Sequence, residues 1–171
     1  MPDLAESIPT PTDGGKTYDF TLRKGILFSN GQPIKASDVK ATILRQFQIP
    51  GPVPSFYQPI IGGDACVKTP KSCNLDGGIL VDDTAGKVTF KLTTPDPDFL
   101  SKLAVPFAYV VPKGSPSKDS GTKPLPGTGP YMISRYVPNQ EIDWVRNPHF
   151  KEWSREAQPE GIPTSWSSRS A

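Results

Sequence analysis

Twenty-one prolines in 171 residues set the first limit on what this chain can fold into. The usual share would be about eight or nine. Each proline fixes φ near about −65° and removes a backbone donor, so it stops a helix and is tolerated in a sheet only at edges, starts or bulges. With 15 glycines beside them, the prolines cut the chain into short elements joined by rigid turns and disfavour a helical bundle. What remains is still globular in character: 35% of residues are hydrophobic and 21% charged, enough for a modest core and too apolar for wholesale disorder. The length suits one domain, or one lobe of something larger.

Between the breakers, local periodicity predicts the elements. TYDFTL (17–22) alternates, with Tyr18, Phe20 and Leu22 on one face, the mark of a half-buried strand. ILF (26–28) predicts a short second strand before the turn SNGQP. KASDVKATILRQF (35–47) is the one amphipathic helix of any length: Val39, Ile43 and Phe47 recur every four residues with Leu44 beside them. Ser37 is its expected N-cap, with Asp38 at the positive end of the helix dipole, and IPGPVP ends it.

GGILVDD and KVTFKL (87–92) predict two strands around the turn DDTAGK, with Val88, Phe90 and Leu92 inward. DPDFLSKLAV (96–105) predicts a short helix with Phe99, Leu100 and Leu103 as its apolar side. FAYVVP (107–112), short and nearly all apolar, predicts a strand covered on both faces, followed by an exposed loop over 113–126. YMISRYV (131–137) and EIDWVRN (140–147) predict a β-hairpin, with Tyr131, Ile133 and Val137 on one face and Ile142 and Trp144 across from them. NPHFKEW predicts a helical turn, and beyond Ala157 the sequence is polar and without pattern. The expected fold class is mixed α/β, hairpin-rich, with few short helices.

The formal net charge is +2 with both signs interspersed, which gives no reason to propose nucleic acid or an anionic membrane as partner. No apolar run approaches the roughly 20 residues that span a bilayer. The opening MPDLAESIPTPTDGG is polar, without the basic start and apolar middle of an export signal. Cys66 and Cys73 lie in GDACVKTPKSCNLDGG, a loop with little apolar content. Their spacing is wrong for a two-residue redox motif, and two cysteines alone do not make a zinc site. A local disulfide contributing roughly 2–3 kcal/mol is the favoured reading and points to an oxidising compartment; two free surface thiols, or a metal pair, are the alternatives.

Catalytic constellations are scarce. A serine or cysteine triad would need His149, the one histidine, as base, but its position in RNPHF suits a surface or packing role. Asp96 and Asp98 are spaced like an acid pair, yet Pro95 and Pro97 make TPDPDF a helix start where carboxylates cap. GTGPY (127–131) has two glycines but lacks the third of a dinucleotide fingerprint, Met132 standing in its place, and lacks the Gly-Lys-Ser/Thr of a phosphate loop. It runs into a strand, so no helix N-terminus is offered to a phosphate. Gly127 and Gly129 are expected to allow positive φ or close backbone approach, and Pro130 to fix the start of an edge strand; the alternative is a bend that also lines a binding cleft. Trp144, Trp153 and Tyr131 read as core packing or as an aromatic platform for a ligand. From the residues alone the chain is a non-enzymatic α/β lobe without cofactor or metal.

Three segments, taken together and in order, carry a resemblance. PDLAES…GGKTYDFTLRKGILFSNGQPIKASDVKATI, VTFKLTTPDPDFLSKLA and PLPGTGPYMISRYVPNQEIDWVRNPHF are similar to the strand–turn–helix start, the following strand and helix, and the GTGPY…RNP block of the extracellular solute-binding proteins of family 5, the dipeptide/oligopeptide type that serves ABC importers. The likeness covers roughly residues 2–158, and the cysteine-bearing loop resembles an insertion in actinobacterial members. The resemblance implies part of the first lobe (1–156) of a two-lobed periplasmic-binding-protein fold that closes on a solute without covalent chemistry. It also implies ABC permease subunits as partners, a monomer, and a periplasmic, extracellular or cell-surface lipoprotein setting. A dipeptide or oligopeptide is the favoured ligand, with nickel complex and sugar open, and Gly127, Thr128, Gly129 and Tyr131 are the residues expected near a cleft. Where such proteins continue into a hydrophobic strand, IPTSWSSRSA does not match. The stretch 157–171 is therefore expected to be an irregular tail, as from a truncated or frame-shifted copy. A free-standing interaction module, or a non-functional gene fragment, is the alternative to transport.

Overall fold

The computed structural model describes residues 2–157 and 165–169. Its core is built from the first hundred residues. Strands β1 (Thr17–Thr21), β2 (Ile79–Asp82) and β3 (Lys87–Lys91) form an antiparallel sheet in the order β1-β3-β2. The register sets Tyr18 opposite Phe90, Phe20 opposite Val88, and Ile79 opposite Phe90. Alternation therefore delivers Tyr18, Ile79, Val88 and Phe90 to one buried side.

Helix α1 (Ala36–Gln48) lays Ile43 and Phe47 into the same cluster, with Val39 and Leu44 packed at its edge. Full burial of side chains of this size is worth about 1.5–3 kcal/mol each. Three short helices complete the layer: α2 (Pro54–Tyr57), α3 (Gly63–Lys68) and α4 (Phe99–Leu103). Phe99 stacks at 5.0 Å from Tyr18 and 5.4 Å from Phe90, so the strand and helix read from VTFKLTTPDPDFL share one aromatic centre. Gly78 is where the backbone packs closest, since a Cβ there would meet the Ile61 carbonyl at 2.2 Å.

Several expectations are corrected. Ser37 is not the N-cap of α1, because Lys35 occupies that position. The Asp38 carboxylate accepts the Lys35 N–H at 2.7 Å, and Asp83, from the turn between β2 and β3, accepts both the Ser37 N–H at 2.7 Å and its hydroxyl at 2.8 Å. Two carboxylates thus serve the orphan donors of the first turn. ILF forms no strand; Leu27 makes a single bridge to Pro33, and Ile26 and Phe28 are buried in a tight turn.

FAYVVP is not a two-sided buried strand. A 3-10 turn spans Pro106–Ala108, Phe107 and Tyr109 are exposed, and the chain then runs along α1. There the Val111 N–H donates to the Thr42 hydroxyl at 3.0 Å and the Lys113 N–H to Asp38 at 2.7 Å. Side chains of α1 replace the missing ladder. The cysteine segment is likewise less loop-like than its composition suggests, since it contains α3 and a 3-10 turn (Pro70–Ser72).

A second antiparallel sheet, in the order β4-β5-β6, contains β4 (Tyr131–Val137), β5 (Glu141–Arg146) and β6 (Ser165–Arg169). The hairpin is as predicted, with Ile133 opposite Trp144 and Asn139 in the left-handed region at the turn (φ 59°). A bulge between Ile133 and Arg135 shifts the alternation. Tyr136, not Val137, therefore joins Tyr131 and Ile133 on the face of Ile142 and Trp144, and Val137 opposes Glu141. NPHFKEW makes a hydrogen-bonded turn, Phe150 N–H to Asn147 C=O at 3.2 Å, rather than helix. The expected patternless end is corrected at Ser165–Arg169, which pair along β5; 158–164, 170 and 171 lie outside the described residues.

Candidate functional site

GTGPY enters β4 as a bend exposed at Gly127 and tied down at three points. The Ser29 N–H donates to the Gly127 carbonyl at 2.8 Å, fixing the bend to the turn that follows Phe28. The Asn147 backbone N–H donates to the Pro130 carbonyl at 2.9 Å. Its side-chain amide donates to the Gly129 carbonyl at 2.9 Å, while its Oδ1 accepts the His149 N–H at 3.0 Å.

Asn147 is almost fully buried and both ends of its amide are satisfied; it is the residue that shapes the bend, and sequence reading passed over it. The signal was present as an Asn-Pro pair directly after a strand, a turn-initiating dipeptide. The same turn carries His149, whose ring lies 3.2 Å from where a Cβ on Gly31 (φ +82°) would sit. The single histidine thus packs on a glycine turn.

The four predicted residues, Gly127, Thr128, Gly129 and Tyr131, lie along this bend with different surroundings. Gly127 is exposed, lies outside the left-handed region, and a Cβ there would meet nothing within 4 Å. The expectation that it serves positive φ or close packing is therefore corrected: the fold leaves open space over it. Thr128 and Gly129 are half-buried, and Tyr131 opens β4 with the Arg146 guanidinium over its ring at 5.3 Å. That is a cation–π pair on the face shared with Ile133 and Trp144. Trp153 donates to Asp3 at 3.2 Å and packs 5.0 Å from Phe150.

Elsewhere the polar groups have structural employment. The Asp96 carboxylate holds Lys102 at 2.6 Å and accepts the Asp98 N–H at 3.1 Å, fastening the start of α4. The Tyr18 hydroxyl donates to the Asp96 carbonyl, and burial with the nearby Asp96 charge pushes that phenol's pKa up. Burial alone pushes Tyr57 up to about 12, its hydroxyl donating to the Lys102 carbonyl at 3.1 Å. Among the described residues no cluster of His, Cys, Asp and Glu is placed to hold a metal, and no helix is long and apolar enough to cross a membrane.

Cys66 and Cys73 are joined, with Cα atoms 4.3 Å apart. This disulfide stands beside an open groove of about 1040 Å³ at the C-terminal end of α1. GTGPY does not line it. The structure therefore separates two features, a hydrogen-bonded bend exposed at Gly127 and an apolar groove.

A mixed α/β arrangement of two small sheets is that of a partial lobe of a two-lobed binding protein. Residues 1–164 match the family of bacterial extracellular solute-binding proteins, family 5 middle region, and the chain belongs to that family. Protein XP55 of Streptomyces lividans is 29% identical over 87% of this chain and 25% of its own length. Di/tripeptide-binding protein 1 of Pseudomonas aeruginosa is 31% identical over 86% of this chain and 29% of its own. Among solved structures, the clavulanic acid biosynthesis oligopeptide binding protein 2 superposes with a TM-score of 0.77 at 28% identity, over 97% of this chain and 30% of that one. The chain thus spans less than a third of the length of the relatives it matches.

Proposed function

We propose that these residues form one side of the solute cleft of an ABC importer's substrate-binding component, which takes up peptides or similar small solutes, and that Gly127, Thr128, Gly129 and Tyr131 face the solute. The observation that carries this reading is the family match over residues 1–164, whose relatives include proteins named for dipeptide, di/tripeptide and oligopeptide binding. The bend supports it. Asn147 and Ser29 hold the backbone carbonyls of 127, 129 and 130, and the open space over Gly127 leaves the main chain approachable there. A backbone held in place and open at Gly127 is suited to an extended peptide, whose main-chain groups it can address whatever the side chains.

One side of a cleft buries only part of a ligand, whereas binding sites commonly bury about 70–90% of it. The 171 residues alone are therefore expected to bind di- to pentapeptides weakly. In an NMR titration with trialanine into the millimolar range, amide shifts should centre on Gly127–Tyr131, with no clear thermal shift at sub-millimolar peptide. Shifts confined to other regions would refute the site, and a sub-millimolar thermal shift would refute the one-sided cleft.

A further inference from the structure

We propose that the groove at the C-terminal end of α1 is a second binding site, for an apolar molecule carrying one carboxylate. Its apolar body would lie along the prolines and its carboxylate against Lys71. The groove is concave and its surface mostly apolar, as in small-molecule sites, with Gln48, Ser55, Gln58, Thr69, Lys71 and Ser72 as its polar side chains. Phe47, Pro50, Pro52, Pro54 and Val67 belong to its apolar lining. The groove is open, and its volume, about 1040 Å³, lies slightly above the range usual for ligand pockets, about 300–1,000 Å³.

Charge selects the ligand's sign. Lys71 is the one ionisable side chain in the lining, and it makes no ion pair among the described residues. No carboxylate lines the groove to hold a cation or to neutralise Lys71 internally. The C-terminal end of α1 presents partial negative charge at Gln48 and Ile49, which disfavours an anion there. The ligand is thereby oriented, with its carboxylate at the Lys71 end and its apolar end towards α1.

Both lining segments are fixed before anything binds. Prolines set φ along 50–54, and the Cys66–Cys73 cross-link closes the short segment that carries Val67 and Lys71. A preformed lining lowers the ordering cost that binding otherwise incurs. It also gives the cross-link a function: it shapes a surface as well as securing Cys66 in the core. The site is independent of the bend at GTGPY, so it stands or falls apart from peptide binding.

The test is an NMR titration of the 171-residue chain with decanoate below its micelle concentration, beside decanol as the neutral isostere. Amide shifts should be confined to 47–58 and 67–72, and decanoate should bind up to about fivefold more tightly than decanol, the range of one exposed ion pair. Lys71→Glu should remove that advantage and leave decanol binding unchanged, and saturating trialanine should not displace decanoate. Equal binding of the two probes, indifference of decanoate to Lys71→Glu, or shifts centred on the exposed face of β4 and β5 would each overturn the proposal.

Discussion

Reducing the disulfide should weaken the fold by an amount that follows from the length of the loop it closes. Cys66 and Cys73 are seven positions apart, so the closed segment counts eight residues. The chain-entropy relation then gives about −8.3 cal/mol/K, or ~2.5 kcal/mol at 25 °C. Reduction is the clean perturbation because it leaves both sulfurs in place. The buried Cys66 thiol keeps its site in the core and its contact with the Asn74 carbonyl. A Cys66→Ala/Cys73→Ala variant removes the buried sulfur as well and should cost about 1 kcal/mol more. Urea denaturation with and without a phosphine reductant measures the difference, and m should rise slightly on reduction as the unfolded chain becomes less compact. For a chain of this size the same change lowers Tm by about 5–10 °C.

A loss below about 0.5 kcal/mol on complete reduction would refute the reasoning, since the entropic term alone is several times larger. It would mean that the loop stays closed in the unfolded chain through its own contacts. Candidates for that are the Thr69 N–H and hydroxyl, both on the Ala65 carbonyl at 2.9 Å, and the Cys73 N–H on the Pro70 carbonyl.

Asn147→Ala should cost about 2–3 kcal/mol in urea melts, because it strips two hydrogen bonds from a buried turn and leaves the His149 N–H without its acceptor. A loss under about 0.5 kcal/mol would deny Asn147 its role in shaping the bend. Gly127→Ala should leave stability within about 0.5 kcal/mol, whereas Gly78→Ala should prevent or severely weaken folding, its Cβ meeting backbone at 2.2 Å; the pair is compared by thermal melts. With the Tyr57 phenol raised to about 12, the folded state holds its proton where the unfolded chain has lost it. Stability should thus be fully present below about pH 10 and fall between there and pH 12, by up to about 1.4 kcal/mol per pH unit. Tyr57→Phe should flatten that slope in denaturation measured at several pH values, and an unchanged slope refutes the assignment. The Asp76 carboxylate, held below its ordinary range by Lys40 at 2.6 Å, should titrate higher in Lys40→Met when followed by carbon NMR.

Where a pattern is local, the sequence was readable. Tyr18, Val88, Phe90 and Leu92 alternate because a single buried face demands period two, and Ile43 and Phe47 recur because one helical stripe does. What escaped reading is long-range. Nothing in FAYVVP says that Thr42 and Asp38, some seventy residues earlier, will take its backbone donors, so a run of apolar residues read as a covered strand. Ser37 looked like a cap because the residue that serves its amide, Asp83, is 46 positions away. The bulge after Ile133 inverted the predicted side of Val137 without any glycine or proline to announce it.

The same distinction bears on GTGPY. Its two glycines suggested a conformational need, yet Gly127 has neither left-handed φ nor a neighbour that would exclude a side chain. The fold is indifferent to a methyl group at that position, and the bend is held by Asn147 and Ser29. If Gly127→Ala leaves stability intact but abolishes the peptide-induced shifts, the glycine is there for what approaches it. A methyl group over open backbone obstructs only a ligand or another surface coming close to the main chain. If stability and peptide shifts both survive the substitution, residue 127 does not face the solute, and the cleft assignment must move along the bend towards Tyr131.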